Sequence, residues 1–94
     1  MSTSDSRKYV QNPAVVSREV ATETIIMVPM QRHLNALNAT ASSVWAFLAT
    51  ARTVDEVVAH VTATFAVKDP AAVREDMVAL LEDLEKKNLI VPAD

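Results

Sequence analysis

The first third of the chain alternates apolar and polar positions with a period near two. Three short runs carry this pattern, at residues 15–20, 24–28 and 32–37, and the first two are rich in β-branched residues. About three residues separate each run from the next, which is the length of a hairpin connection. The pattern therefore predicts three strands in an antiparallel meander.

From residue 41 onward the apolar positions recur at a spacing of three and four, which predicts helices. Asn38 suits the N-cap of the first helix because its side chain can accept a hydrogen bond from a free N–H of the first turn. Thr53 and Glu56 have the spacing of a capping box at the start of a second helix. Asp69–Pro70, an N-cap followed by proline, predicts the start of a third.

Three strands followed by three helices predict an α+β fold of the winged helix-turn-helix type. We expect this domain to span residues 13–94, after a flexible N-terminal tail at residues 1–12 in which Tyr9 and Val10 are the residues able to pack. The predicted core residues lie on the apolar stripes of the helices: Trp45, Leu48, Val57, Val61, Phe65, Leu80 and Leu84.

Composition excludes several classes of function. The 94 residues include no cysteine, which excludes disulfides and thiolate metal sites, and no glycine, which excludes glycine-rich phosphate loops. No apolar run approaches the roughly 20 residues that span a bilayer, and the polar N-terminus leads into no apolar signal region. These features predict a cytoplasmic protein that uses no cofactor or metal and does not contact a membrane.

Charge is unevenly distributed along the chain. Residues 1–37 carry a net charge of +1 and residues 38–94 a net charge of −4. Within residues 70–88, five acidic residues outnumber three basic ones. A recognition helix of this composition would repel phosphates, so the charge disfavours binding to nucleic acid.

No group of residues predicts catalysis. His33 and His60 are the two histidines of the chain. We expect His33 to be solvated or to contact a partner, and His60 to be exposed because it lies off the apolar stripe of its helix. Ser42–Ser43 have no base that the sequence can identify. The chain is therefore predicted not to be an enzyme.

Three segments, "LNATASSVWAFL", "RTVDEVVAHV" and "DMVALLEDLEKKNLI", resemble the PqqD-like family. The resemblance runs from about Pro13 to Val91. It departs from the family pattern before the second helix, where Thr50-Ala51-Arg52 replaces a glycine. It departs again before the last Leu-Ile, where Asn88 stands in place of a glycine. Asparagine can adopt the same left-handed conformation at a helix C-terminus.

The resemblance implies a stand-alone recognition element for ribosomally synthesised, post-translationally modified peptides (RiPPs). In this family the leader of a precursor peptide pairs with the outer edge of the third strand and lies beside the third helix. The domain hands the peptide to a modifying enzyme, often a radical-SAM protein. A meander gives this mode a physical basis, because its third strand keeps one unpaired edge that can accept another strand.

Apolar residues of the predicted third helix cover an arc of roughly 160°, wider than the ~100° that one core contact needs. One margin of this helix could therefore line a groove, or both margins could be core. Asp76, Leu80 and Lys87 lie on one margin, and the pattern leaves open which margin is exposed. The candidate peptide-binding residues are Arg32, His33, Leu34, Asn35, Ala36 and Leu37 on the strand and Arg74, Met77, Val78, Leu81 and Glu85 on the helix.

Two other functions stay open. One is a winged-helix DNA-binding regulator, which shares the architecture but is disfavoured by the acidic third helix. The other is a structural subunit that docks a modifying enzyme without contacting peptide. Neighbouring genes for a modifying enzyme and a short precursor would favour peptide recognition. The sequence does not identify the peptide, its modification or the enzyme, and it leaves a homo-oligomer open.

Overall fold

A computed structural model describes residues 7–30, 34–65 and 69–93. Its strands are Lys8–Gln11 (β1), Val16–Val20 (β2), Glu23–Met27 (β3), Leu34–Leu37 (β4), Arg52–Thr53 (β5) and Ile90–Pro92 (β6). Its helices are Ala39–Phe47 (α1), Val54–Phe65 (α2) and Pro70–Lys86 (α3). The predicted α+β class, with a meander before three helices, is confirmed.

Strands β2, β3 and β4 form the predicted antiparallel meander, which we call the meander sheet. β4 is described over Leu34–Leu37, and the predicted strand residues Arg32 and His33 lie outside the described residues. β2 and β3 are joined by the two-residue loop Ala21-Thr22, in which Ala21 has a φ of 59°. A positive φ at the first loop residue is typical of a type II′ turn, where glycine is usual.

A second sheet, the terminal sheet, joins segments that are far apart in the sequence. β1 lies between β5 and β6, so that Tyr9 pairs with Arg52 on one side and with Pro92 on the other. Here the structure differs from the sequence prediction, because Lys8–Gln11 form a strand where a flexible tail was expected. Tyr9, one of the two tail residues expected to be able to pack, is buried. A strand of four residues with distant partners leaves almost no local pattern from which to predict it.

The helices begin at the predicted signals. Asn38 accepts a hydrogen bond from the N–H of Ala41 at 2.9 Å. The N–H of Thr53 donates to Oε1 of Glu56 at 2.9 Å, and the N–H of Glu56 donates to Oγ1 of Thr53 at 3.1 Å, which completes the capping box. Asp69 caps α3 through its carboxylate. These local contacts fix where each helix starts.

Two residues after the end of α3, Asn88 has a φ of 63°. The N–H of Asn88 donates to the carbonyl of Glu85, and the N–H of Leu89 donates to the carbonyl of Leu84. This pair of bonds is a Schellman motif, so asparagine takes the left-handed position predicted for it. The side-chain amide of Asn12 also donates to the carbonyl of Asn88 at 2.8 Å, which ties the end of α3 to the segment after β1.

One hydrophobic core lies between the sheets and the helices. Most predicted core residues are buried in it: Trp45, Leu48, Val57, Val61 and Leu84. Leu80 is half-buried at its margin. Phe65 was also predicted to be core, but its side chain is 39% exposed because it is the last residue of α2, where the helix leaves the core.

Candidate functional site

β4 is an edge strand. It pairs with β3 on one side, and within the described parts of the chain no strand pairs with its other side. Its last residue, Leu37, is buried, whereas Leu34 and Ala36 are exposed. An edge of this kind presents backbone donors and acceptors that another extended chain can use.

The hairpin between β2 and β3 determines how the backbone groups of the meander are oriented. Val20 and Glu23 flank its two-residue loop, so they exchange backbone hydrogen bonds with each other. Bonded and non-bonded pairs alternate along an antiparallel ladder. Every second residue of β3 from Glu23 therefore bonds to β2, and Thr24 and Ile26 direct their backbone groups toward β4.

On β4, the partners of Thr24 and Ile26 are Leu37 and Asn35. The alternate residues, Leu34 and Ala36, therefore direct their N–H and C=O groups away from β3. The open edge thus offers the backbone donors and acceptors of Leu34 and Ala36. The register between β3 and β4 decides this point, which a pattern of apolar and polar residues does not specify.

An apolar groove adjoins the C-terminal end of β4. It encloses a cavity of about 270 Å³ between α1, α2 and α3. Thr40 lies in the first turn of α1, which begins two residues after β4, so one residue of the groove lies three positions after the end of the strand. The lining residues are Thr40, Val61, Phe65, Val73, Asp76 and Met77.

The predicted site residues of α3 are not all brought to this groove. Met77 lines it, with Asp76 beside it. Arg74 and Val78 instead line a second cavity of about 290 Å³ beside Tyr9 of β1, on the other margin of the helix. Two further candidates lie along that same second margin: Leu81, which is buried against the core, and Glu85, which is half-buried near the end of the helix.

Arg74 is engaged within the domain. Its guanidinium donates from Nη1 to Oδ1 of Asp55 at the start of α2. The pair is exposed on the surface between α2 and α3. This contact directs the charge of Arg74 toward α2 and away from the groove beside β4.

The face of the meander sheet that is turned away from the helices, which we call the outer face, is exposed and largely apolar, with the charged Arg18 opposite Ile25. The exposed fractions are 58% for Val16, 54% for Val20, 45% for Met27 and 63% for Leu34. Ile25 is half-buried between them and lines the same shallow cavity of about 270 Å³. The sequence prediction missed this face, although the consecutive apolar residues of β3 were a signal that both sides of the strand are apolar.

α1 and α2 bring together two polar residues that the sequence could not connect. Oγ of Ser43 lies 2.8 Å from Nε2 of His60. The His60 ring also stacks on Phe47, with ring centroids 4.3 Å apart, and the Arg52 guanidinium lies 4.4 Å from the Phe47 centroid. His60 was predicted to be exposed and is half-buried, because the predicted helical stripe did not include contacts with the neighbouring helix.

These polar contacts do not form a complete catalytic site in the described part of the chain. Among residues 7–30, 34–65 and 69–93, no carboxylate is hydrogen-bonded to His60, and no cluster of three histidine, aspartate or glutamate side chains could hold a metal ion. Of the described helices, none has the length and apolarity needed to cross a bilayer.

Comparison with known proteins identifies the family. The family model for coenzyme PQQ synthesis protein D (PqqD) matches residues 23–90, which include the open edge of β4 and the groove beside it. The chain belongs to the PqqD family. The predicted resemblance to this family is therefore confirmed, and the matched segment extends from β3 to the first residue of β6.

A solved structure supports the same assignment. The PqqD-family chain is similar to the structure described as "TbiB1 in Complex with the TbiA(beta) Leader Peptide", with a TM-score of 0.77 and 26% sequence identity. The match covers 86% of this chain and 93% of that chain. No curated protein matches this chain by sequence.

Proposed function

We propose that this PqqD-family chain is a peptide-recognition element. It binds the leader of a ribosomally synthesised precursor peptide by strand addition to β4 and presents the peptide to a modifying enzyme. The observation that carries the proposal is the open edge of β4 at Leu34 and Ala36. An apolar groove that includes Thr40, in the first turn after β4, adds a place for side chains. The similarity to TbiB1, whose structure contains a leader peptide, supports it.

Two kinds of contact would contribute to recognition of the peptide. Backbone hydrogen bonds to the edge of β4 contribute affinity that depends little on sequence, and side-chain pockets contribute selectivity. A ligand residue opposite Asn35 or Leu37 directs its side chain toward the helices, where the groove lined by Met77 can receive it. Arg32, which precedes β4 in the sequence, is a candidate contact for acidic residues of the leader, and His33 beside it is a further candidate peptide contact.

The remaining predicted contacts fit this scheme less directly. Arg74, Val78, Leu81 and Glu85 belong to the margin of α3 that faces β1 or the core, so a ligand confined to β4 and its groove would not need them. We therefore assign the main contacts to residues 34–37 and to Met77.

The proposal assigns recognition, and no catalysis, to the chain itself. The chemical step belongs to a partner enzyme, for which a radical-SAM protein is the expected class. Because precursor peptides are made by ribosomes, the proposed function places the chain in the cytoplasm.

Amide chemical shifts test the proposal. The labelled full chain is titrated with the leader of a short precursor encoded beside its gene, and a scrambled peptide serves as the control. The largest shifts are expected at residues 34–37. If these amides do not move while the largest shifts fall on α2 or on the N-terminal segment, strand addition to β4 is wrong.

A pair of proline variants sharpens the test. Ala36→Pro removes an N–H from the open edge and leaves the β3–β4 ladder intact, because proline is tolerated on edge strands. We expect leader binding about tenfold weaker, the equivalent of one lost hydrogen bond, with the urea midpoint nearly unchanged. Asn35→Pro removes an N–H that bonds to β3, so it is expected to lower the stability of the domain itself.

A further inference from the structure

If a peptide were bound through the groove alone, the outer face of the meander sheet would make no contact with it. Four of its apolar side chains are each at least 45% exposed, and Leu34, the most exposed of them, lies on the edge strand. A face of this kind on a small domain is a feature that commonly marks an interaction surface. The position of Leu34 connects this face to the proposed peptide-binding edge.

We infer that a peptide added to β4 makes side-chain contacts on both faces of the new strand, with the outer face and with the groove. The preferred ligands therefore contain three consecutive apolar residues. The inference rests on the proposed function and adds a ligand class to it. A ligand read through the groove alone would need apolar residues only at alternate positions.

The register places the relevant side chains. Leu34 pairs with Met27 and Ala36 pairs with Ile25, so the side chains of these four residues lie on the outer face. Residues directly opposite each other on neighbouring strands share a face of the sheet. The two ligand residues opposite Leu34 and Ala36 therefore direct their side chains to the outer face, and the ligand residue between them faces the groove.

The outer face offers these two ligand residues an apolar contact. Leu34 and Met27 form a non-hydrogen-bonded pair, the arrangement that brings opposing side chains closest together. Both are well exposed, at 63% and 45%. An aliphatic ligand side chain laid against Leu34 would remove apolar surface from water on both chains, which favours binding.

Distance limits which part of the outer face the peptide reaches. Neighbouring strands are about 4.8 Å apart, so an added strand lies one spacing from β4 and about 14 Å from β2. Val16 and Val20 on β2 are therefore beyond the reach of the ligand side chains. Val16 and Val20 lie on the same face as Leu34 and are similarly exposed, but they are far from the open edge. They are therefore matched controls for Leu34.

The size of the outer face disfavours a second copy of the chain as its occupant. Three strands of at most five residues span roughly 14 Å by 17 Å, a few hundred Å². A stable pair of proteins buries about 800 Å² on each partner. A peptide strand already held by backbone bonds needs much less additional area.

A displayed library of random nine-residue peptides tests the inference with the full chain. Binders are first sorted by their dependence on the open edge, which is judged by loss of binding to Ala36→Pro. Among edge-dependent binders we expect enrichment of three consecutive apolar residues. If no enriched peptide depends on Ala36, the proposed function fails. If edge-dependent peptides alternate apolar and polar residues, the proposed function stands and the present inference is overturned.

Substitutions on the protein give an independent readout. Leu34→Ser should bind the best edge-dependent peptide about tenfold more weakly, the effect of losing one partly buried aliphatic contact. Val16→Ser and Val20→Ser should bind it within about twofold of the original chain. Urea denaturation checks that each exposed substitution leaves the fold intact. Equal losses in Leu34→Ser and Val16→Ser would overturn the inference and indicate a partner that covers the whole face.

Discussion

The two sheets of this domain are built from different kinds of contact. The meander sheet lies within Val16–Leu37, and its strands pair with their neighbours in sequence. The terminal sheet joins β1, β5 and β6, which come from the start, the middle and the end of the described chain. The two sheets differ in what their contacts leave exposed: non-local pairing joins distant segments in the terminal sheet, whereas the local pairing of the meander sheet leaves β4 with an unpaired edge and the outer face exposed.

Backbone contacts show how tightly the terminal sheet is integrated. The N–H of Gln11 donates to the carbonyl of Leu48, the N–H of Asn12 donates to that of Leu89, and the N–H of Ala93 donates to that of Lys8. These bonds connect β1 to the end of α1 and join the first and last strands of the described chain. The meander sheet has buried residues only on the side that faces the helices, so its outer face is available to a ligand.

The largest expected effect comes from Trp45, where the two sheets meet the core. The side chain of Trp45 is 4% exposed, and Trp45 lies on α1, which packs against β3 and β4. The backbone carbonyl of Trp45 accepts a hydrogen bond from the side-chain amide of Gln11 in β1 at 2.7 Å. Trp45→Ala should lower the free energy of unfolding by about 3–5 kcal/mol, because it leaves a large cavity. Urea denaturation followed by circular dichroism measures this loss, and a value below about 1 kcal/mol would contradict the core assignment.

A second pair of substitutions compares the two sheets directly. Ile90 of the terminal sheet is 1% exposed, whereas Met27 of the meander sheet is 45% exposed. Ile90→Ala should cost about 2–5 kcal/mol, and Met27→Ala less than about 1 kcal/mol, because only the first creates a cavity. The same denaturation experiment serves for both. Similar losses would show that the outer face is packed and that the contrast between the sheets is mistaken.

A smaller effect, with the opposite sign, is expected in the meander hairpin. Ala21 has a φ of 59°, a conformation that costs a residue with a Cβ roughly 1–2 kcal/mol. Ala21→Gly should therefore stabilise the domain by about 1 kcal/mol, even though glycine adds entropy to the unfolded chain. Thr22→Gly is the matched control in the same loop, and it should give no gain. A lower urea midpoint for Ala21→Gly would be evidence against the type II′ turn.

The smallest effect concerns pH and the terminal sheet. The backbone N–H of Thr53 in β5 donates to the carboxylate of Glu56 and lowers the pKa of Glu56 below its ordinary value of 4.5. Because the pKa is lower in the folded state, this contribution is fully present above pH 4.5 and is lost as the pH falls through the folded-state pKa.

Glu56→Gln tests this pH dependence, because it keeps an acceptor and removes the titration. Urea midpoints measured from about pH 6 down to about pH 3 should fall less steeply for Glu56→Gln than for the original chain. Glu23→Gln removes the same charge from the meander sheet and serves as the control. If both variants follow the same curve, the ionised carboxylate of Glu56 makes no measurable contribution to the pH dependence of stability.

For the candidate site, the sequence predicted the open edge but not its detailed geometry. A meander of three consecutive strands leaves one side of its third strand unpaired unless another strand joins there, and within the described residues none does. The outward direction of the Leu34 and Ala36 backbone groups depends on the register between strands. The placement of Met77 at the groove, and of Arg74 on the other margin of α3, depends on how the helix is rotated against the core.

The same division holds for the fold. The sequence by itself determined the features that depend on residues a few positions apart: the hairpins, the caps at Asn38 and Asp69, and the left-handed end of α3 at Asn88. Tertiary structure alone decided that Lys8–Gln11 form a strand, that Ser43 meets His60, and that Phe65 is exposed. Local hydrogen bonds are specified by local spacing, whereas these three outcomes depend on where separate elements pack against one another in the folded chain.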